Sequence, residues 1–333
     1  MSDWYSRLIK FSTLLALSVV VLGAYVRLSD AGLGCPDWPG CYGEITPTTI
    51  NSDTANAEFP ERPLETGKAW REMVHRYVAA TLGFLIVLIA WLAWRNRSVT
   101  NQPVKIPIFT LGVVIFQGLL GMWTVTLLLK PVIVMGHLLG GLATLGLLLW
   151  LWLEADRTPV GSQQITRRLP GLAVFGTIVL ICQIALGGWT SSNYAALACP
   201  DLPTCLGQWW PEQANFKEAF VMWRGLGINY EFGILEAPAR VGIHFAHRVG
   251  AVTASVVLLF VTLHYWRRYR QQNQLAVACQ LVWAALFAQV CLGLATVYFG
   301  LPLPVATAHN GVAALLLLSM INLNHVAAAL PAD

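Results

Sequence analysis

Charge is what this sequence has least of. Asp, Glu, Lys and Arg together make 11% of its 333 residues, against roughly a quarter in a soluble domain, which excludes a water-soluble globule. The net charge of +4 is spread over many short segments. With no basic block, nucleic acid is excluded as a partner. The marks of a removable leader are missing too. Arg7 and Lys10 precede a largely apolar run, but no small-x-small cleavage site follows and no Arg- and Ser-rich presequence stands ahead of it, so the first span is expected to be retained. A bacterial inner membrane is then expected rather than a mitochondrial one.

What is abundant is apolar surface, 56% of residues, enough for eight spans of roughly 20 residues each. The pattern predicts helices over Leu8–Leu28, His75–Trp94, Val104–Leu129, Val132–Leu153, Leu169–Thr190, Val241–Trp266, Leu275–Phe299 and Pro304–Val326. The fold class is therefore an all-α membrane protein. Placing the amino terminus and the short basic loops (Arg95, Arg97, Lys105; Arg157, Arg167, Arg168; Arg267, Arg268, Arg270) in the cytoplasm puts 11 Lys/Arg against 4 Asp/Glu there, and 10 against 13 outside. By the positive-inside bias both termini are expected to be cytoplasmic and the two long loops periplasmic.

The two halves repeat each other. Cys35, Pro36, Asp37, Pro39, Cys41 and Gly43 recur 164 residues later as Cys199, Pro200, Asp201, Pro203, Cys205 and Gly207. Beyond the loop the offset is 172, matching His75-Arg76 to His247-Arg248, Gln117 to Gln289, Gly121 to Gly293, Thr124-Val125 to Thr296-Val297 and His137 to His309. This predicts a tandem pair of four-helix bundles, residues 1–156 and 157–333. Because four is even, both copies enter the membrane the same way round, and a pseudo-twofold axis along the membrane normal is expected.

Side chains that ionise or ligate are costly inside a span and mark function. His75 and His137 fall near the starts of two outside-to-inside spans, hence at similar depth, and His247 and His309 do the same in the second half. Two imidazoles at matched depth on two helices of a bundle suit axial ligation of a haem iron. Arg76 and Arg248 then either snorkel to the interface or meet haem propionates. Zinc is disfavoured, because no carboxylate or thiolate accompanies each pair at its depth. His264 and His325, at cytoplasmic span ends and without repeat partners, read as interfacial. One position breaks the symmetry. Three residues before the histidine the first half has Glu72 and the second has His244; spaced by three, Glu72 shares a helix face with His75.

The Glu-x-x-His-Arg on the second span, the two-histidine halves, the eight spans and the paired cysteines resemble the haem A synthase family over essentially the whole chain. The resemblance implies an enzyme that oxidises a ring methyl of haem O to the formyl of haem A by successive hydroxylations. It implies a haem b cofactor on His247 and His309 in the carboxyl-terminal half. Substrate haem O is then expected at His75 and His137 of the amino-terminal half, with Arg76 beside it, Arg248 as a propionate partner in the other half, and Glu72 acting on the reacting methyl. Membrane lipid, a haem O synthase and an electron donor are the expected partners. On the periplasmic side Cys35 with Cys41, and Cys199 with Cys205, can each close a disulfide, as structural staples or as redox pairs. Cys182, Cys279 and Cys291 read as small packing residues within spans.

Two other classes fit parts of the pattern. A dihaem electron-transfer cytochrome would use the duplication and the four histidines equally well, but gives Glu72/His244 no role. A secondary transporter or metal exporter would use the repeat, but places its polar groups near the midplane.

Overall fold

The computed structural model describes residues 3–99, 102–156 and 170–330, and among these it is helical. Ten α-helices run in order: α1 (Asp3–Leu28), α2 (Ser52–Glu58), α3 (Thr66–Arg95), α4 (Lys105–Thr126), α5 (Pro131–Ala155), α6 (Gly171–Ser192), α7 (Phe216–Ala219), α8 (Ala237–Tyr269), α9 (Asn273–Tyr298) and α10 (Leu303–Ala327). All but α2 and α7 are long and apolar enough to cross a membrane. At 1.5 Å per residue even the 22-residue α4 spans about 33 Å, slightly more than a hydrocarbon core of roughly 30 Å. Arg157, Arg167, Arg168 and the predicted start at Leu169 lie outside the described residues.

The eight predicted spans all form, but three begin four or more residues before their apolar runs: α1 starts at Asp3 rather than Leu8, α3 at Thr66 rather than His75, and α8 at Ala237 rather than Val241. The added residues include Asp3, Arg7, Lys68, Arg71 and Arg240 and are helical all the same, because helix hydrogen bonding does not stop at the membrane surface. His75 is thus the tenth residue of its helix and His247 the eleventh, two to three turns in rather than at the start. Proline in the first turn of α5, α8 and α10 suits the position where a backbone N–H has no partner anyway.

In lipid, helices gain little from burying apolar surface and instead pack where small residues allow close approach. Gly146 on α5 faces Ile321 on α10, and Gly188 on α6 faces Leu138 on α5. Around these contacts Ile9, Leu145, Leu148, Leu258, Leu316 and Met320 form one buried core that crosses from one half of the chain to the other. Within the first half α1 packs on α3 and α5, and α4 on α3 and α5. Within the second, α6 packs on α8 and α10, and α9 on α8 and α10. Between them α1 meets α10, α6 meets α5, and α5 meets α10.

The two long loops lie at the same end of the helices and share one local structure. Each holds a disulfide, Cys35–Cys41 and Cys199–Cys205, with Cα atoms 4.7 Å apart. The Asp37 carboxylate accepts from Tyr42 N and Gly43 N at 2.6 and 2.9 Å, and Asp201 accepts from Leu206 N and Gly207 N at the same distances. Gly43 and Gly207 both have φ of +76°, a conformation that favours glycine. The longer second loop also reaches the first half. Tyr230 N donates to Leu128 O at 3.0 Å, and the Lys130 ammonium donates to Gly225 O while lying 3.5 Å from the Trp223 ring centroid. Ile228 and Tyr230 there cover Leu33, Val125 and Leu129.

Candidate functional site

Each of the four repeated histidines rests its ring against a glycine of a neighbouring helix. A Cβ on Gly23, Gly121, Gly187 or Gly293 would lie 3.0, 3.3, 3.1 or 3.1 Å from Cε1 of His75, His137, His247 or His309, respectively. Gly23 and Gly187 are counterparts at offset 164, and Gly121 and Gly293 at offset 172. Glycine inside a helix costs about 1 kcal/mol relative to alanine, and here it makes room for an imidazole.

The surroundings of the rings differ between halves. Gln117 Nε2 donates to the His137 carbonyl at 2.7 Å, whereas its counterpart Gln289 turns its Nε2 to His309 Nε2, 3.2 Å away. Gln183 on α6 brings its Nε2 to 3.0 Å from both His247 Nδ1 and the His247 carbonyl. Nδ1 of His75, His137 and His309 is buried with no hydrogen-bond partner.

Toward the loop end, Glu72 is 5% exposed. Its Oε1 accepts from Arg76 Nη2 at 2.6 Å and its Oε2 from Cys35 N at 2.9 Å. His244, 3% exposed, has the same position in the second half: its Nδ1 accepts from Cys199 N at 3.1 Å, and Arg248 Nε lies 3.3 Å from its Nε2. Both guanidiniums are largely spent on loop carbonyls. Arg76 donates to Asp37, Pro39 and Gly40, and Arg248 to Cys199, Asp201 and Thr204. The sequence reading, in which these arginines either snorkel or meet haem propionates, does not foresee these bonds, since loop carbonyls are invisible to a pattern of side chains.

A cavity of about 1240 Å³ surrounds His247 and His309, with Gln183, Gln289 and Arg248 also on its wall. Arg27 of α1 and Tyr194 line it from the loop end. Val252 and Val256 of α8 and Leu294 and Tyr298 of α9 belong to its wall and are exposed. Apolar walls, two facing imidazoles and basic groups toward the loop end fit a haem with its propionates on that side. The unpartnered buried Nδ1 of His309 and the glycines opposite both rings fit the same group.

Other sequence assignments need correction. His325 is buried rather than interfacial, because α5 brings Trp150 and Glu154 against it, the latter 3.3 Å away; His264 is exposed. Of the three span cysteines only Cys279 packs in the core, while Cys182 and Cys291 are exposed. An apolar run does not say which face a small residue takes. Gly121 and Gly293 were legible in the sequence as a match between repeats, but Gln183, Gly23 and Gly187 were not singled out. Aligning α1 with α6 finds Gly23 and Gly187 as a match and Gln183 as a mismatch with Val19.

Fold and site together define a polytopic helical membrane protein with a duplicated, histidine-lined interior. The model of the COX15-CtaA family, cytochrome oxidase assembly proteins, matches residues 6–321, and this chain belongs to that family. It is 46% identical over 322 residues to the heme A synthase of Shewanella oneidensis, covering 96% of this chain and 95% of the relative. It is 28% identical to the heme A synthases of Halalkalibacterium halodurans over 308 residues (90% of each chain) and Caulobacter vibrioides over 331 (91% of this chain, 90% of the relative).

Proposed function

We propose that this chain is a haem A synthase, oxidising a ring methyl of haem O to a formyl group to supply haem A to terminal oxidases. The observation that carries this reading is two buried histidine sites alike in packing and unlike in one charge, Glu72 against His244. Two equal sites would serve electron transfer; a carboxylate at only one of them gives the two different work. The 46% identity to a protein of that name supports it.

The carboxyl-terminal half, 157–333, holds a haem b on His247 and His309, with Arg248 toward a propionate. The amino-terminal half, 1–156, receives haem O at His75 and His137. His247 and His309 would hold the haem b, which when bound would supply one-electron redox chemistry. Glu72, one turn from His75, is held by Arg76 and Cys35 N, and places negative charge where a methyl carbon losing electrons becomes positive, or accepts its proton. The methyl is hydroxylated twice, each step taking an oxygen atom from water and releasing two protons and two electrons, the electrons leaving to the electron-transfer partner, and the dihydroxy product loses water to leave the formyl group. The farnesyl-derived tail, being apolar, leaves between helices toward lipid. The expected protein partners are a haem O synthase and an electron-transfer protein.

The halves form two four-helix bundles about a pseudo-twofold axis. Arg27 Nη2 donates to the carbonyl of Ser191, its own repeat counterpart, at 2.6 Å; a contact between equivalent positions belongs near such an axis. The pairs α1–α10 and α6–α5 exchange under the same operation. The protein sits in a bacterial inner membrane with both termini cytoplasmic and the disulfide loops periplasmic.

Coexpression with a source of haem O, followed by extraction of haems, tests the proposal. The expected preparation is red, with a low-spin b-haem spectrum and haem A or its hydroxylated precursor in the extract. His247→Ala or His309→Ala should strip the b haem. A colourless preparation from haem-replete cells would overturn the reading, and b haem without conversion of haem O would favour an electron-transfer cytochrome.

A further inference from the structure

If the two sites hold the same kind of group, something must let one half retain it while the other takes it up and releases it. Packing against glycine does not discriminate, because all four rings share it. The hydrogen bonding of the imidazoles does. Among the four, only His247 has a side chain on its Nδ1, that of Gln183 at 3.0 Å, while Nδ1 of His75, His137 and His309 is buried and unpartnered. The counterpart of Gln183 at offset 164 is Val19, which has no polar atom.

A second substitution goes with the first. Gln183 Oε1 lies so close to Gly250 that a Cβ there would collide with it. The counterpart of Gly250 at offset 172 is Val78. At these two positions the second half has a glutamine with a glycine that makes room for it, and the first has valine at both; the first half's own glutamine over a glycine, Gln117 on Gly140, reaches the carbonyl of His137 and not its ring. Two positions on different helices differ together, which is what a built contact requires.

We infer that Gln183 is the positioning residue for His247 that makes the carboxyl-terminal half the one that retains its haem, and that Val19 leaves His75 unheld so that the amino-terminal half exchanges its own. The inference rests on the assignment of a haem b to His247 and His309. With Nδ1 engaged by Gln183, Nε2 is the nitrogen left for iron. Ligation through Nε2 leaves the proton of a neutral imidazole on Nδ1, which needs an acceptor. Turning the Gln183 amide over supplies one: Oε1, buried without a partner beside Gly250, comes to Nδ1, and Nε2 gives up its bond to the His247 carbonyl. A hydrogen bond on the far nitrogen fixes the ring and raises its basicity as a ligand, and its loss typically costs about 10–100-fold in metal affinity.

The test uses full-length, haem-loaded protein with Gln183→Val and Gln183→Glu, reading haem loss to an excess of an apoprotein scavenger and the midpoint potential of the bound haem. Gln183→Val should release haem about 10–100-fold faster and shift the potential positive, because a less basic imidazole favours the ferric state less. Gln183→Glu keeps an acceptor and adds charge, and should shift the potential negative with haem retained. Opposite shifts from one position are not what a merely structural residue produces. Wild-type release and potential in both variants would overturn the inference while leaving the haem assignment intact. The assignment itself fails separately, if His247→Ala keeps the wild-type spectrum.

Discussion

At the scale of single residues, Glu72 was legible as an asymmetry but not as a contact. The sequence placed it on the face of His75; the structure adds that both its oxygens are engaged, by Arg76 and by Cys35 N. Glu72→Ala is therefore a blunt probe, since breaking a buried ion pair costs about 3–5 kcal/mol by itself. Glu72→Gln keeps an acceptor for Cys35 N and loses the charge. Glu72→His installs the residue the second half uses for the same tether, His244 on Cys199 N. Both variants are expected to keep the b-haem spectrum and an intact loop disulfide while haem A in the extract falls at least tenfold. Normal haem A from Glu72→His would reduce Glu72 to a loop anchor and remove the case for the amino-terminal half as the reacting one. Gln183 was missed for a related reason. Its meaning lies in a difference between aligned repeats, Gln183 against Val19, which shared motifs do not display.

At the scale of elements, hydropathy found every span because lipid imposes one requirement on all of them, while helix starts ahead of the apolar runs escaped it at α1, α3 and α8. The loops were readable only as matching motifs; what the repeated Asp does required coordinates. In the second loop the Thr204 hydroxyl, then the Gly207 and Leu206 amides, hold the Asp201 carboxyl down from 3.8 to about 2. An acid whose folded pKa is depressed stabilises the fold above its unfolded value, and that contribution is lost as pH falls through the folded one. Hydrogen-exchange protection of the Leu206 and Gly207 amides should thus hold down to about pH 4 and decline between about 4 and 2. In Asp201→Ala it should be low throughout. Protection unchanged at pH 2 in the wild type would contradict the role given to Asp201.

At the scale of the whole molecule, the duplication was the most legible feature, because register survives where individual residues have drifted. The packing of one half on the other was not, since it runs through ordinary side chains such as Leu138 against Gly188 and Ile321 against Gly146. The proposed topology has its own check. In intact cells a membrane-impermeant thiol reagent should label Cys35, Cys41, Cys199 and Cys205 only after a reductant is added. Labelling without reductant would argue against stable disulfides, and labelling only after lysis, with reductant present, would reverse the orientation.

The bond from Tyr230 N to Leu128 O also orders events in time. A membrane protein made from its amino terminus threads α1 to α5 into the bilayer before the segment that covers Leu33, Val125 and Leu129 exists. About 100 residues separate the two ends of that bond, roughly 5–20 s of synthesis at bacterial and eukaryotic rates. For that interval the first half is inserted but unfinished, and its loop end is completed by a part of the chain that belongs to the other half.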